Sequence, residues 1–113
     1  MCLKTDGRAA HVFGLRPEAV FAVMVVDGVF AEIGKVDPAT GCTTVVTSGI
    51  EGEHSAKQSR HYVGLAVDFR IRHVDAEDAI YAHELIRRRL GPTYFVRLES
   101  THIHVHYMGA ASY

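Results

Sequence analysis

The sequence predicts an α+β domain: an antiparallel sheet with helices packed on one face and the functional site on the other. Three observations carry this. Two stretches have the length and end signals of helices, residues 17–33 and 76–90. Four short runs are β-branched or alternate apolar and polar residues, as half-buried strands do. Their order along the chain is helix, strand, strand, helix, strand, strand, which suits an antiparallel sheet backed by helices.

Residues 1–15 are a weakly patterned lead-in with Cys2 at a frayed end, and Val12 and Phe13 could add an edge strand. Leu15-Arg16-Pro17-Glu18 then opens the first helix, because proline suits the first turn and an acid is favourable at the positive end of the dipole. It runs to about Ile33, where Gly34 can end it. Val20, Val23, Met24 and Phe30 are expected to face the core, with Val25, Val26 and Val29 broadening the stripe. So many valines leave propensity ambiguous, and length decides for helix over a 17-residue strand.

Val36 to Gly41 reads as a turn, with Asp37-Pro38 and Thr40-Gly41 as its signals. Thr43 to Ser48 is a β-branched strand. Gly49 to Arg60 is polar and reads as a loop hanging over the site. From Gly64 to Ile71 the chain alternates: Leu65, Val67, Phe69 and Ile71 on one side, Gly64, Ala66, Asp68 and Arg70 on the other. Asp75 is a good N-cap for the second helix, which runs from Ala76 to Leu90 with Ala79, Ala82, Ile86 and Leu90 on one face. Gly91-Pro92 stops it, and Arg87-Arg88-Arg89 complement its negative end. Tyr94 to Leu98 and His102 to Tyr107 are the last strands, bent at Ser100-Thr101.

At 113 residues the chain, 1–113, is one domain. A formal charge of −1 gives no electrostatic case for nucleic acid or an anionic membrane surface, and neither is expected as a partner; a monomer is expected. The N-terminus lacks the apolar core of a signal peptide, so the expectation is a chain made in the cytoplasm that reaches other sites only by release. Cys2 and Cys42 do not make a disulfide framework and are expected to be free thiols.

Two segments hold five of the eight histidines: His54 to Asp68, and Glu99-Ser100-Thr101-His102-Ile103-His104-Val105-His106. His61 lies seven positions before Asp68, an odd number, so a bend near Gly64 is needed to bring the imidazole round to the carboxylate. In the second segment His102, His104 and His106 share a strand face, which is hard to explain as packing. Same-face neighbours lie about 7 Å apart, while zinc holds an imidazole nitrogen at roughly 2.0–2.1 Å. One or at most two of the three can therefore reach one ion. Two histidines and an aspartate would leave a position open for water, the pattern of a catalytic site. The plainer readings are polar residues on a wet sheet face, or a buried His–Asp hydrogen bond; ligand types in two separated segments favour Zn2+. His11, His73 and His83 read as ordinary.

Ser59-x-His61-x-x-Gly64-x-Ala66-x-Asp68 resembles the S-x-H-x-x-G-x-A-x-D signature of zinc peptidases that cut bacterial cell-wall peptides, the D-alanyl-D-alanine carboxypeptidases and the phage L-alanyl-D-glutamate endolysins, and all five fixed positions match. With the later His102-Ile103-His104 it is also similar to the hedgehog signalling domain, which shares that hedgehog/DD-peptidase fold. The resemblance spans roughly Thr44 to Tyr107. It implies His61 and Asp68 as the first two zinc ligands, and His104 as the third with His102 as runner-up. It also implies Glu99 as the general base. His54 would lie near the metal, stabilising an oxyanion or binding substrate, and Ser59 would support His61 from behind. Arg70, on the Asp68 face, is the candidate for holding a substrate carboxylate.

The implied activity is a zinc metallopeptidase acting on peptidoglycan stem peptides, of the kind phages and prophages use in lysis. Either the L-alanyl-D-glutamate or the D-alanyl-D-alanine bond would be the target. The gap from Glu99 to His104 matches neither the short Glu-x-x-His of the peptidases nor the longer hedgehog version, and His106 stands where an acid is common in phage relatives. The alternative expectation is therefore a zinc-holding interaction module of the same fold that does not hydrolyse.

Overall fold

The computed structural model of the protein describes residues 1–4, 15–48 and 65–109. It is an α+β fold of two helices and a five-stranded, mostly antiparallel sheet. In chain order the elements are β1 (Cys2–Leu3), α1 (Pro17–Ile33), β2 (Val45–Ser48), β3 (Ala66–Arg70), α2 (Ala76–Leu90), β4 (Tyr94–Leu98) and β5 (His102–Tyr107). The sheet order is β1-β2-β3-β5-β4.

Helix α1 starts at Pro17 and ends at Gly34, whose φ of 76° is the left-handed conformation glycine adopts without penalty; its N–H closes on Phe30 O at 2.9 Å. Helix α2 opens on Asp75, whose carboxylate accepts from the Asp78 N–H at 2.8 Å. Lys35 pairs with Asp75 and Asp78 at 3.3 and 2.6 Å, and Arg89 with Glu32 at 2.6 Å, so exposed charges link the two helices. All three arginines, Arg87, Arg88 and Arg89, lie in the last turn of α2, as the sequence predicts, and within that helix Arg87 meets Glu84 at 3.0 Å.

Both helices contribute to one core with the sheet face that carries Val67, Phe69, Val96, Ile103 and Val105. From α2 come Ala79, Ala82, Ile86 and Leu90, the face the sequence predicts. From α1 come Ala19, Ala22, Val23, Val26, Val29 and Phe30. Val20 and Met24, expected inside, are instead 45% and 68% exposed. The cause is that α1 is apolar all round, so hydrophobicity alone does not say which stripe is buried. Packing selects the row of Ala19, Ala22, Val26 and Phe30, where two alanines allow close approach to the sheet.

The N-terminus departs from expectation in two ways. Cys2–Leu3 is not frayed but pairs with β2 in parallel, Cys2 against Val45 and Leu3 against Val46, which makes the sheet mixed rather than purely antiparallel. Cys2 and Cys42 are not free thiols: they form a disulfide, with Cα atoms 5.9 Å apart. The reason is local. The turn that begins at Asp37 closes by an Asp37–Cys42 bridge, which brings Cys42 back beside the start of β2, where β1 lies. Val12 and Phe13, and the 49–60 loop, lie outside the described residues. Among the described residues no helix is long and apolar enough to cross a membrane.

Candidate functional site

Strands β3 and β5 are antiparallel, and their register decides what meets on the face turned away from the helices. Ala66 lies opposite His106, Asp68 opposite His104, and Arg70 opposite His102. On the other side of β5, strand β4 sets Phe95 opposite His106 and Arg97 opposite His104. Directly opposed residues share a face. The result is a set of cross-strand rows, with Asp68, His104 and Arg97 in the middle one.

Within that row Asp68 Oδ1 lies 2.8 Å from His104 Nδ1. The two side chains are 17% and 21% exposed, sheltered but open to solvent on one side. The second ring nitrogen of His104 lies 2.8 Å from His106 Nδ1. His102 is further off: its Nε2 is 3.9 Å from Asp68 Oδ1, and its Nδ1 is 3.0 Å from the Thr101 hydroxyl. Ser48, brought opposite Asp68 by a register shift in β2, borders the row from the other edge.

Glu99 stands in the β4–β5 turn, where its N–H donates to His102 O at 2.8 Å. Its carboxylate accepts from Arg97 Nη1 at 3.1 Å and is partly exposed. Glu99, Thr101 and His102 border a cleft of about 750 Å³ that runs toward Lys4, Arg72 and the start of α2. Asp68 and His104 are not among the residues that line it.

Arg70 is placed differently from the sequence expectation. Although it borders the cleft, only 5% of its surface is exposed. Its Nη1 donates to the buried carboxylate of Asp37 at 3.1 Å, and Arg72 Nε reaches the other oxygen of Asp37 at 3.1 Å. Thr40 Oγ1 adds a third bond at 3.1 Å. Burial pushes the Asp37 carboxyl up, but the hydrogen bonds from Arg72, Thr40 and Arg70 outweigh it and hold the group below the ordinary carboxylate range. Arg70 thus anchors the 37–42 turn to the sheet.

Of the predicted site residues, Asp68, His104 and His102 converge on one sheet face and Glu99 lies at its rim. His54, Ser59 and His61 lie outside the described residues. Among the described residues no group of three or more His, Cys, Asp or Glu is arranged to hold a metal ion. Two neighbours were not singled out from sequence. Phe95, which stacks on His106, carried no signal beyond strand alternation. Asp37 read as a turn residue, because its partners are 33 and 35 positions away. His73 and His83 each donate to a backbone carbonyl, of Thr43 at 2.7 Å and Val96 at 3.1 Å, and so act within the fold.

A carboxylate and an imidazole at this spacing can share a proton or a cation. Comparison with protein-family models, curated proteins and solved structures finds no match to this chain.

Proposed function

We propose that the protein is a zinc metallopeptidase of the hedgehog/DD-peptidase fold that hydrolyses peptidoglycan stem peptides, as phage and prophage lysis enzymes do. The observation that carries this reading is the Asp68–His104 juxtaposition, at 2.8 Å and part-buried, between residues 36 apart in sequence, of which Asp68 stands in the zinc-peptidase signature and His104 in the His-Ile-His segment similar to the hedgehog domain. The donor types fit: zinc takes carboxylate oxygen and imidazole nitrogen. Asp68 and His104 would hold the ion, with His61 as the third protein ligand on the strength of the signature. His102 is the less favoured alternative to His104, because its ring stands further from the carboxylate.

Zinc, when bound, supplies Lewis acidity toward a peptide carbonyl and toward water. The remaining chemistry belongs to the chain. Glu99 would take a proton from the attacking water at its carboxylate and return it to the leaving amine, a role that typically contributes about 10²–10⁴-fold. For that, its carboxylate must exchange the Arg97 contact for the water; the pair is exposed, and exposed pairs are worth only about 0–1 kcal/mol. The cleft that Glu99, Thr101 and His102 border would receive the substrate peptide.

The Glu99–Arg97 pairing also favours a second reading, a zinc-holding interaction module without hydrolysis. Purified peptidoglycan separates the two. Wild-type protein carrying one zinc should release peptide fragments identifiable by mass spectrometry, and Glu99→Gln should keep the zinc while losing the release. Zinc uptake with no fragments from either form would establish the module instead. A chain that takes up no zinc sinks both.

A further inference from the structure

His104 is engaged on both edges of its ring, Nδ1 by Asp68 and Nε2 by His106, each at 2.8 Å. His106 is itself held. Its ring stacks on Phe95 with centroids 4.8 Å apart and planes 22° from parallel, and the Arg97 guanidinium lies 5.5 Å from the centroid of the same Phe95 ring. Phe95 is the direct cross-strand partner of His106, so the stack is set by register.

Same-face residues two apart on a strand have Cα atoms about 7 Å apart. Two imidazoles at that spacing make nitrogen-to-nitrogen contact only when the rings lean toward each other. The Phe95 stack sets the lean of His106.

We propose that His106 is a positioning residue: through its Nδ1 it fixes the ring of His104 so that the Nδ1 edge of His104 stays turned toward Asp68, and it thereby sets the zinc affinity of that pair. This rests on the zinc reading given above. Which nitrogen of a histidine can take a metal is decided by the hydrogen bond the other one makes. With Nε2 of His104 engaged by His106, Nδ1 is the nitrogen left to share an ion with Asp68. Without His106 the ring keeps its Asp68 contact but loses the hold at Nε2, and the alignment of the donor pair is weakened.

The test is a zinc competition titration against a chromophoric chelator, run on the full chain and on three variants. His106→Leu keeps bulk but removes the hydrogen-bonding nitrogen. His106→Asn places an amide group near the position of Nδ1. Phe95→Leu keeps both histidines and removes the stack. His106→Leu should weaken zinc binding by about 10–100-fold, the range found for outer partners of metal ligands. His106→Asn should recover most of the loss, and Phe95→Leu should fall between. Imidazole ¹⁵N spectra should show the His104 resonances shifting in His106→Leu and staying near wild type in His106→Asn.

A folded His106→Leu with wild-type zinc affinity overturns the proposal and leaves the zinc reading standing. So does a His106→Asn that binds as weakly as His106→Leu, since packing alone would then account for the loss. If His106→Leu does not fold, an unchanged affinity in Phe95→Leu overturns it equally. Wild-type protein that binds no zinc removes both readings together.

Discussion

Asp68 and His104 face each other across β3 and β5 as direct register partners, with carboxylate oxygen and imidazole nitrogen 2.8 Å apart. Neither strand holds the pair alone; the antiparallel alignment does. A slip of one residue would turn every side chain of β5 to the opposite face and bury the three histidines against the helices. The apolar positions Ile103 and Val105, fully or almost fully buried, oppose that slip, so the core residues of β5 fix the site residues between them.

Removal of either member of this pair should lower zinc affinity by more than the roughly 10–100-fold that outer partners cost. The two losses should not add: Asp68→Ala with His104→Ala should bind scarcely worse than the weaker single variant, because each leaves the same ligand set incomplete. Isothermal titration with zinc on the four proteins of the cycle measures this. Fully additive losses would mean that the two residues serve different ions or none.

The buried stripe of α1 can be tested by stability. Phe30 is 1% exposed and Met24 68% exposed, although both lie in the same apolar helix. Phe30→Ala should cost about 3–5 kcal/mol, as aromatic truncations in a packed core do. Met24→Ala should stay within about 0.5 kcal/mol of wild type. Urea unfolding of the two variants gives the values, and a large loss at Met24 would place a different stripe inside.

These cases show what was legible before the structure. Helix α2 was, to the residue, because its apolar positions stand out against charged ones and Asp75 and Gly91 punctuate its ends. Strand β5 was, because histidine and aliphatic residues alternate without a break. The convergence of Asp68 with His104 followed from motif and alternation together. The phase of α1 was not legible, because apolar residues lie on every side of the helix and its few acids leave little contrast between faces. The Asp37–Arg70 anchor and the Cys2–Cys42 bridge were not legible either: each joins residues distant in sequence, with no periodic signal linking them.

The disulfide is expected to be a main support of the N-terminal edge. β1 is two residues long and, among the described residues, pairs only with β2, so few backbone bonds hold it there. The bridge spans a sequence separation of 40 residues, for which loop-closure entropy in the unfolded chain gives about 4 kcal/mol. Thermal melting should therefore drop in a reducing buffer, and a Cys2→Ser, Cys42→Ser double variant should melt at the lower temperature with or without reductant. Equal melting of wild type in both buffers would show that the bridge contributes nothing.

Asp37 gives the fold an acid-sensitive point whose direction follows from its ionisation. Its carboxyl titrates below the ordinary range in the folded chain, so the folded state prefers the charged form more than the unfolded state does. That preference is fully present above the unfolded value, about 3.9 for an aspartate. It is lost as the pH falls through the lower folded value. Stability from this group should thus be level at neutral pH and decline below about pH 4. Asp37→Asn removes the charge that Arg70 and Arg72 surround, and breaking a buried pair from one side costs about 3–5 kcal/mol. The variant should be less stable at pH 7 by about that amount, and the difference from wild type should narrow as the pH is lowered toward 3. Chemical unfolding at a series of pH values measures the difference, and a gap that stays constant down to pH 3 would assign the cost to packing rather than to the charge.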